Sequence, residues 1–238
     1  ASIKDGYEAG HGLPFDSEGM KARYPGTFFS QFTGAELMAK KWNLSREDLD
    51  NFALSSHQKA AVAVEGKYFD REILPIQAKN AEGKSDMVLV DEGIRYDASF
   101  EALSGLNPVT EGGVITAGNA SQITDGAAAL MICNDAGLKK VKADPRAKIT
   151  AISVVGDDPI MMLGGPIPAS HKVLKAANLK IGDIDLYEVN EAFAPVPLAW
   201  AAELKADRTK LNVNGGAMAL GHPLGATGTM LVGTVLDE

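Results

Sequence analysis

An α/β fold with helices covering a sheet is the class that this sequence predicts, and two observations carry the prediction. From residue 124 onward short apolar runs alternate with amphipathic stretches, as strand and helix do in such folds. The 238 residues are 45% hydrophobic and 23% charged, an ordinary globular balance with enough chain to bury a core without disulfide or metal staples. That balance sets aside disorder, collagen and coiled coil.

The elements follow in chain order. The first thirty residues hold Gly6, Gly10, Gly12, Pro14, Gly19, Pro25 and Gly26 without a sustained period, and read as a long loop. A helix is predicted from Thr33 through Trp42. A stronger one follows, because Ser45 with Asp48 three residues later forms a capping-box pattern and Leu49, Phe52, Ala53, Ala60 and Val64 share one face. Gly66 is its expected stop. Residues 71–77 and Met87 to Val90 read as extended. Beyond residue 124, strands are expected at Ala129 to Ile132, Ile149 to Val155, Ile184 to Val189 and Leu211 to Val213. Helices are expected at Asp135 to Val141, Ala169 to Leu179 and Glu191 to Leu204, with Pro195 and Pro197 straining the last of these. A final helix starts before Met230 and runs into Glu238 without a stop signal, as though the chain were cut there.

Composition also narrows function. A net charge of −8 offers no electropositive footprint for nucleic acid, so an anionic ligand has to be held locally. No apolar run approaches the roughly 18 residues of a membrane span, and Ala1 to Asp5 lack the opening of a signal peptide. One cysteine, Cys133, allows no internal disulfide and is compatible with a reducing, cytoplasmic setting. Lying in the apolar run Ala-Leu-Met-Ile-Cys, it is expected to be a buried packing thiol.

Chemistry concentrates in two segments. Glu188-Val189-Asn190-Glu191-Ala192-Phe193-Ala194 ends an apolar strand pattern and opens a helix, which puts Asn190 on the strand-end edge where α/β folds bind ligands. Taken alone, Asn190 reads first as the cap of the following helix. Residues 212–229 carry five glycines around Gly221-His222-Pro223, and His222 is suited to act as a general base near neutral pH. Taken alone it reads as a turn histidine. The run lacks a Gly-Lys-Ser/Thr ending and is no phosphate loop. His57 is expected to be a surface or packing residue and His171 to face solvent, while His11 in the early loop is undecided. Met161 and Met162 suit core filling or an acyl chain.

Together the Asn-Glu-Ala-Phe and Asn-Gly-Gly-x-x-x-x-Gly-His-Pro-x-Gly-x-x-Gly segments resemble two signatures of the thiolases. The similarity extends to Ser45 through Asp48, Ser56 through Ala60, Asp91 through Arg95, and Thr116 through Ala128. It implies a thiolase fold, a layered αβαβα sandwich with an inserted loop-rich domain, incompletely represented. Residues 1–123 would be the loop domain, 124–143 a returning segment of the N-terminal half-domain, and 144–238 most of the C-terminal half-domain.

The resemblance implies acyl transfer between acetyl-CoA or 3-ketoacyl-CoA and coenzyme A, by Claisen condensation or thiolysis. His222 would activate a nucleophilic cysteine, and Asn190 would hold a water completing the oxyanion site. Phe193 would line the acyl pocket, Ser121 would touch the pantetheine arm, and Arg95 would lie near the nucleotide end of coenzyme A. No metal and no permanently bound cofactor is implied; acyl-CoA is the substrate and partner, with neither nucleic acid nor membrane, in a homodimer or homotetramer. Both cysteines that do the family's covalent work fall outside these residues, so the chain alone is expected to be inactive. Condensing enzymes of fatty-acid synthesis share the fold but generally place a histidine where Asn190 stands. A non-catalytic CoA- or lipid-binding thiolase-like protein is the other alternative. Acyl chain length and reaction direction are not readable here, although the aromatic Tyr24 to Phe32 stretch suits bulkier acyl groups.

Overall fold

A computed structural model of the chain describes residues 3–79 and 82–238; Ala1 and Ser2, part of the N-terminal reading, lie outside the described residues. The early segment departs from a plain loop by two short helices, α1 (Ile3–Glu8) and α2 (Glu18–Arg23). Ser17 caps α2 by accepting from the Met20 N–H. The aromatics Phe15, Tyr24 and Phe29 pack on one another beside them.

Helices α3 (Gln31–Lys41) and α4 (Arg46–Glu65) follow the predicted pattern. The capping box at Ser45 is complete: its Oγ accepts from Asp48 N at 3.1 Å, and Asp48 Oδ2 accepts from Ser45 N at 2.8 Å. α4 ends at Gly66. Leu49, Phe52, Ala53 and Ala60 are buried on its inner face. Burying Leu49 and Met38 completely stabilises the fold by about 1.5–3 kcal/mol each. Beyond α4 the strands β1 (Ile76–Lys79) and β2 (Ser85–Val88) pair antiparallel, Ile76 opposite Val88. α5 (Phe100–Ser104) packs on α4.

The later chain holds α6 (Asp135–Val141), α7 (Pro166–Ala177), α8 (Pro195–Leu204), α9 (Ala217–Leu220) and α10 (Thr227–Asp237). The expected helix at Glu191 begins instead at Pro195. Pro195 and Pro197 then occupy its first turn, where backbone N–H groups lack intrahelical partners, so they start the helix where strain was expected. α8 is buried nearly all round, packed on α3 and α7. Trp200 in it donates to Ser170 Oγ at 2.8 Å and meets Tyr187 edge-on at 5.2 Å.

The four strands expected beyond residue 124 are not present as ladders. Among the described residues the one sheet is β1–β2, and Tyr187 makes a single parallel bridge to Leu211. Ile123, Met131, Ile132, Ile152 and Val154 stand exposed instead of forming a sheet core. Apolar alternation reports a tendency to extend, whereas a strand also needs a neighbour to hydrogen-bond; among the described residues none pairs with 129–132 or 149–155, and 184–189 meets 211–213 only through the Tyr187–Leu211 bridge. Cys133 is corrected for the same reason. It is exposed, next to the N-cap of α6, in a run that pairs with no other strand among the described residues.

Candidate active site

The site is assembled where α4, the 119–124 segment, the 188–194 turn and the glycine-rich run meet. Asn212 holds the turn from one side, its Oδ1 accepting from Val189 N at 2.9 Å and its Nδ2 donating to Val189 O at 2.9 Å. On the other side Ala120 bridges antiparallel to Phe193, and Ser121 N donates to Ala192 O at 3.0 Å. Asn190 is fixed between these two supports. It does not cap α8, whose N-terminus lies five residues on at Pro195.

Glu191 is the buried centre of this construction. Its carboxylate accepts from Ser56 Oγ at 2.6 Å, Asn212 Nδ2 at 2.9 Å and Met218 N at 3.1 Å. Burial pushes its pKa up, against these hydrogen bonds and the nearby Lys59. Gly216 explains one glycine of the run: a Cβ there would strike the Glu191 carboxyl group. Gly221 explains another, having a φ of +88° with Thr124 against the place a Cβ would occupy. These two glycines serve close approach of protein to protein.

The turn made by Gly221 delivers His222. Its N–H donates to Gln122 O at 3.2 Å, and Gln122 Nε2 donates to Gly93 O at 2.7 Å and Met218 O at 2.8 Å. The ring lies between Asn190 Nδ2, 3.2 Å from Nε2, and Thr227 Oγ1, 2.6 Å from Nδ1. Burial lowers its pKa, so the ring is neutral near pH 7. Asn190 Oδ1 is buried with no hydrogen-bond partner among the described residues. A neutral imidazole beside an amide with spare polar capacity can exchange a proton at Nε2 and orient a polar group next to it.

His222, Asn190, Ser121 and Phe193 are thus drawn together, the last two by direct backbone pairing of their segments. Phe193 is buried and meets Phe32 edge-on at 5.3 Å. Arg95 joins through its backbone alone: its N–H donates to His57 Nδ1 at 3.1 Å, while its side chain is exposed. His57 is therefore a buried anchor for the Arg95 loop, its pKa lowered by burial and then by the Arg95 charge. His11 and His171 are both exposed. Sequence reasoning missed Thr227, Gln122 and Ser56. Thr227 alone left a signal, since a hydroxyl five residues after His222 at a helix start can turn back toward it. Among the described residues no cluster of His, Cys, Asp and Glu has metal-binding geometry.

Comparison with known families matches the model of the thiolase N-terminal domain over residues 19–136 and of the thiolase C-terminal domain over residues 143–238. The chain belongs to the thiolase family. This thiolase chain is 48% identical over 216 residues to the steroid 3-ketoacyl-CoA thiolase FadA6 of Mycobacterium tuberculosis, covering 91% of the chain and 52% of that protein. It is 44% identical over 205 residues to the mitochondrial 3-ketoacyl-CoA thiolase of Rattus norvegicus, covering 86% and 51%. The chain spans about half the length of the curated relatives it matches.

Solved structures agree. The Bacillus anthracis acetyl-CoA acetyltransferase superposes with a TM-score of 0.84 at 39% identity, over 90% of this thiolase chain and 54% of that one. The human mitochondrial 3-ketoacyl-CoA thiolase in complex with CoA gives 0.81 at 43% identity, over 86% and 51%. The α/β thiolase fold is therefore the fold of this chain, although the predicted strands carry no ladders here.

Proposed function

We infer that the protein is an acyl-CoA C-acyltransferase, moving acyl groups between acetyl-CoA or 3-ketoacyl-CoA and coenzyme A. The observation that carries this reading is the pair Asn190 and His222, 3.2 Å apart, held at the meeting point of both matched thiolase domains. His222 is neutral near pH 7, as a base needs to be, and can return as a donor the proton it takes. Asn190 presents a preoriented dipole where charge would develop on a thioester oxygen. Ser121 and Arg95 are the proposed contacts to coenzyme A, and Phe193 the wall of the acyl pocket.

Cys133 has no part in this reading, and the acylated thiolate is assigned outside these residues. The loop domain is placed at residues 1–123, the returning segment at 124–143 and the C-terminal half-domain at 144–238. The same reading carries a homodimer or homotetramer and a cytoplasmic location, supported by the resemblance and the lone cysteine respectively.

Thiolysis and condensation assays on the full-length protein test the activity. His222→Ala is expected to lower kcat by about 100-fold or more, the usual contribution of a positioned acid–base group, with folding intact. Asn190→Ala is expected to lose less. Near-normal turnover of folded His222→Ala would remove the residue from the mechanism. Coenzyme A binding without turnover in the full-length protein would favour the non-catalytic alternative.

A further inference from the structure

The two ring nitrogens of His222 face partners that require opposite protonation. Nε2 lies 3.2 Å from Asn190 Nδ2, which is a donor, and Nδ1 lies 2.6 Å from Thr227 Oγ1. Thr227 is buried at the first position of α10, and its hydroxyl donates back to the Pro223 carbonyl at 3.0 Å. A hydroxyl has one hydrogen. Given to Pro223 O, it leaves Oγ1 as an acceptor toward the ring, and the hydrogen in the 2.6 Å contact then belongs to Nδ1. Nε2 is left as the lone-pair nitrogen, in agreement with the Asn190 N–H facing it.

We propose that Thr227 is a positioning residue that holds neutral His222 in its Nδ1–H tautomer and so keeps the lone pair on Nε2, where a proton can be taken up and returned in exchange for the hydrogen bond from Asn190 Nδ2. This rests on the reading of His222 as the catalytic base. A proton gained at Nε2 gives an imidazolium whose Nδ1–H still points at Thr227, and its loss restores the starting tautomer. No hydrogen has to change nitrogen between the two states. In the opposite tautomer Nε2 would carry hydrogen and would not act as a base. His57 supplies an internal contrast: its Nδ1 accepts from Arg95 N at 3.1 Å, so its neutral ring carries hydrogen on Nε2.

Long-range 1H–15N correlation spectra of protein carrying 15N in its four histidines read both tautomers directly, with His222 assigned by the peaks lost in His222→Asn. The expected patterns are Nδ1–H for His222 and Nε2–H for His57. Thr227→Val, which keeps the shape and removes the hydroxyl, is expected to move His222 toward Nε2–H. In the full-length protein it should lower kcat about 10- to 100-fold with KM little changed. Thr227→Ser should restore both. An Nε2–H pattern for His222 in the unmodified protein overturns the proposal without any variant having to fold. Unchanged kcat in folded Thr227→Val overturns it as well. Normal turnover of His222→Ala is a separate failure, that of the base reading, and the spectra still decide whether Thr227 holds the ring.

Discussion

Ser56 Oγ and Glu191 Oε2 lie 2.6 Å apart in the buried interior although 135 residues separate them in the chain. Ser56 also accepts from Gly216 N at 3.1 Å, so one hydroxyl ties α4 to both segments that form the site. Glu191 is the next residue after Asn190, and Met218, which it also binds, is four residues before His222. The spacing of Asn190 and His222 is thus set by a carboxylate that touches neither.

Glu191→Ala is expected to destabilise the protein by about 3–5 kcal/mol, because it strands three buried donors. Ser56→Ala should cost less, about 1–3 kcal/mol, since Glu191 keeps two partners. Urea denaturation monitored by tryptophan fluorescence measures both. A loss for Glu191→Ala smaller than that for Ser56→Ala would show that the carboxylate is not the hub of the network.

Stability should fall as pH rises through the range set by Glu188. This residue lines a small cleft with Gly216, Gly221 and Thr227, and burial, followed by the charge of Glu191, pushes its pKa up to about 8. Between the ordinary carboxylate range and about pH 8 the folded state keeps a proton that the unfolded state has lost, so raising pH favours unfolding. His57 and His222 act oppositely: both have lowered pKa values, and acidification below about 6.5 protonates them first in the unfolded chain. Glu188→Gln should flatten the fall between about pH 6.5 and 8 and, because the Glu188 range also overlaps that of the histidines, make stability rise more steeply with pH below about 6.5. Melting temperatures measured from pH 5 to 9 check this; an alkaline slope unchanged in Glu188→Gln would reassign it.

What was legible in the sequence was what is local. The capping box at Ser45 and the stop at Gly66 involve neighbours within four residues, and each appears as expected. His222 and Asn190 were found because motif spacing carries family information that periodicity does not. The α/β class was legible, but the expected strands at 129–132 and 149–155 form no ladders among the described residues, because an apolar run says nothing of whether a partner strand lies beside it. Glu191, Ser56 and Gln122 were missed because the partners of their side chains lie 21 to 160 residues away, and several are backbone atoms with no signature of their own.

Cys133 should behave as an accessible thiol. It lies exposed in a run without a ladder, so a thiol reagent is expected to label it stoichiometrically in the native 238-residue chain without denaturant. In the full-length protein Cys133→Ser should leave turnover unchanged, because the residue is assigned no chemistry. Turnover lost in a folded Cys133→Ser variant would reopen its place in the mechanism.

Arg95 is expected to contribute to coenzyme A binding through charge, and the contribution should fade with salt. The protein carries a net charge of −8, so attraction to a phosphorylated ligand has to come from a local cation against an unfavourable overall field. The Arg95 side chain is exposed, and its backbone is pinned by His57, which orders the loop without occupying the guanidinium. Exposed charges are screened over about 10 Å at 0.1 M salt, so Arg95→Ala should weaken binding to the full-length protein several-fold at low ionic strength and much less at 0.5 M. Ser121→Ala, which removes a neutral contact, should weaken binding by a factor that salt leaves alone. Calorimetric titration of coenzyme A at the two salt concentrations separates these behaviours. Affinity unchanged in Arg95→Ala at low salt would mean that the guanidinium faces away from the ligand, and a salt-dependent loss in Ser121→Ala would mean that the two residues do not act independently.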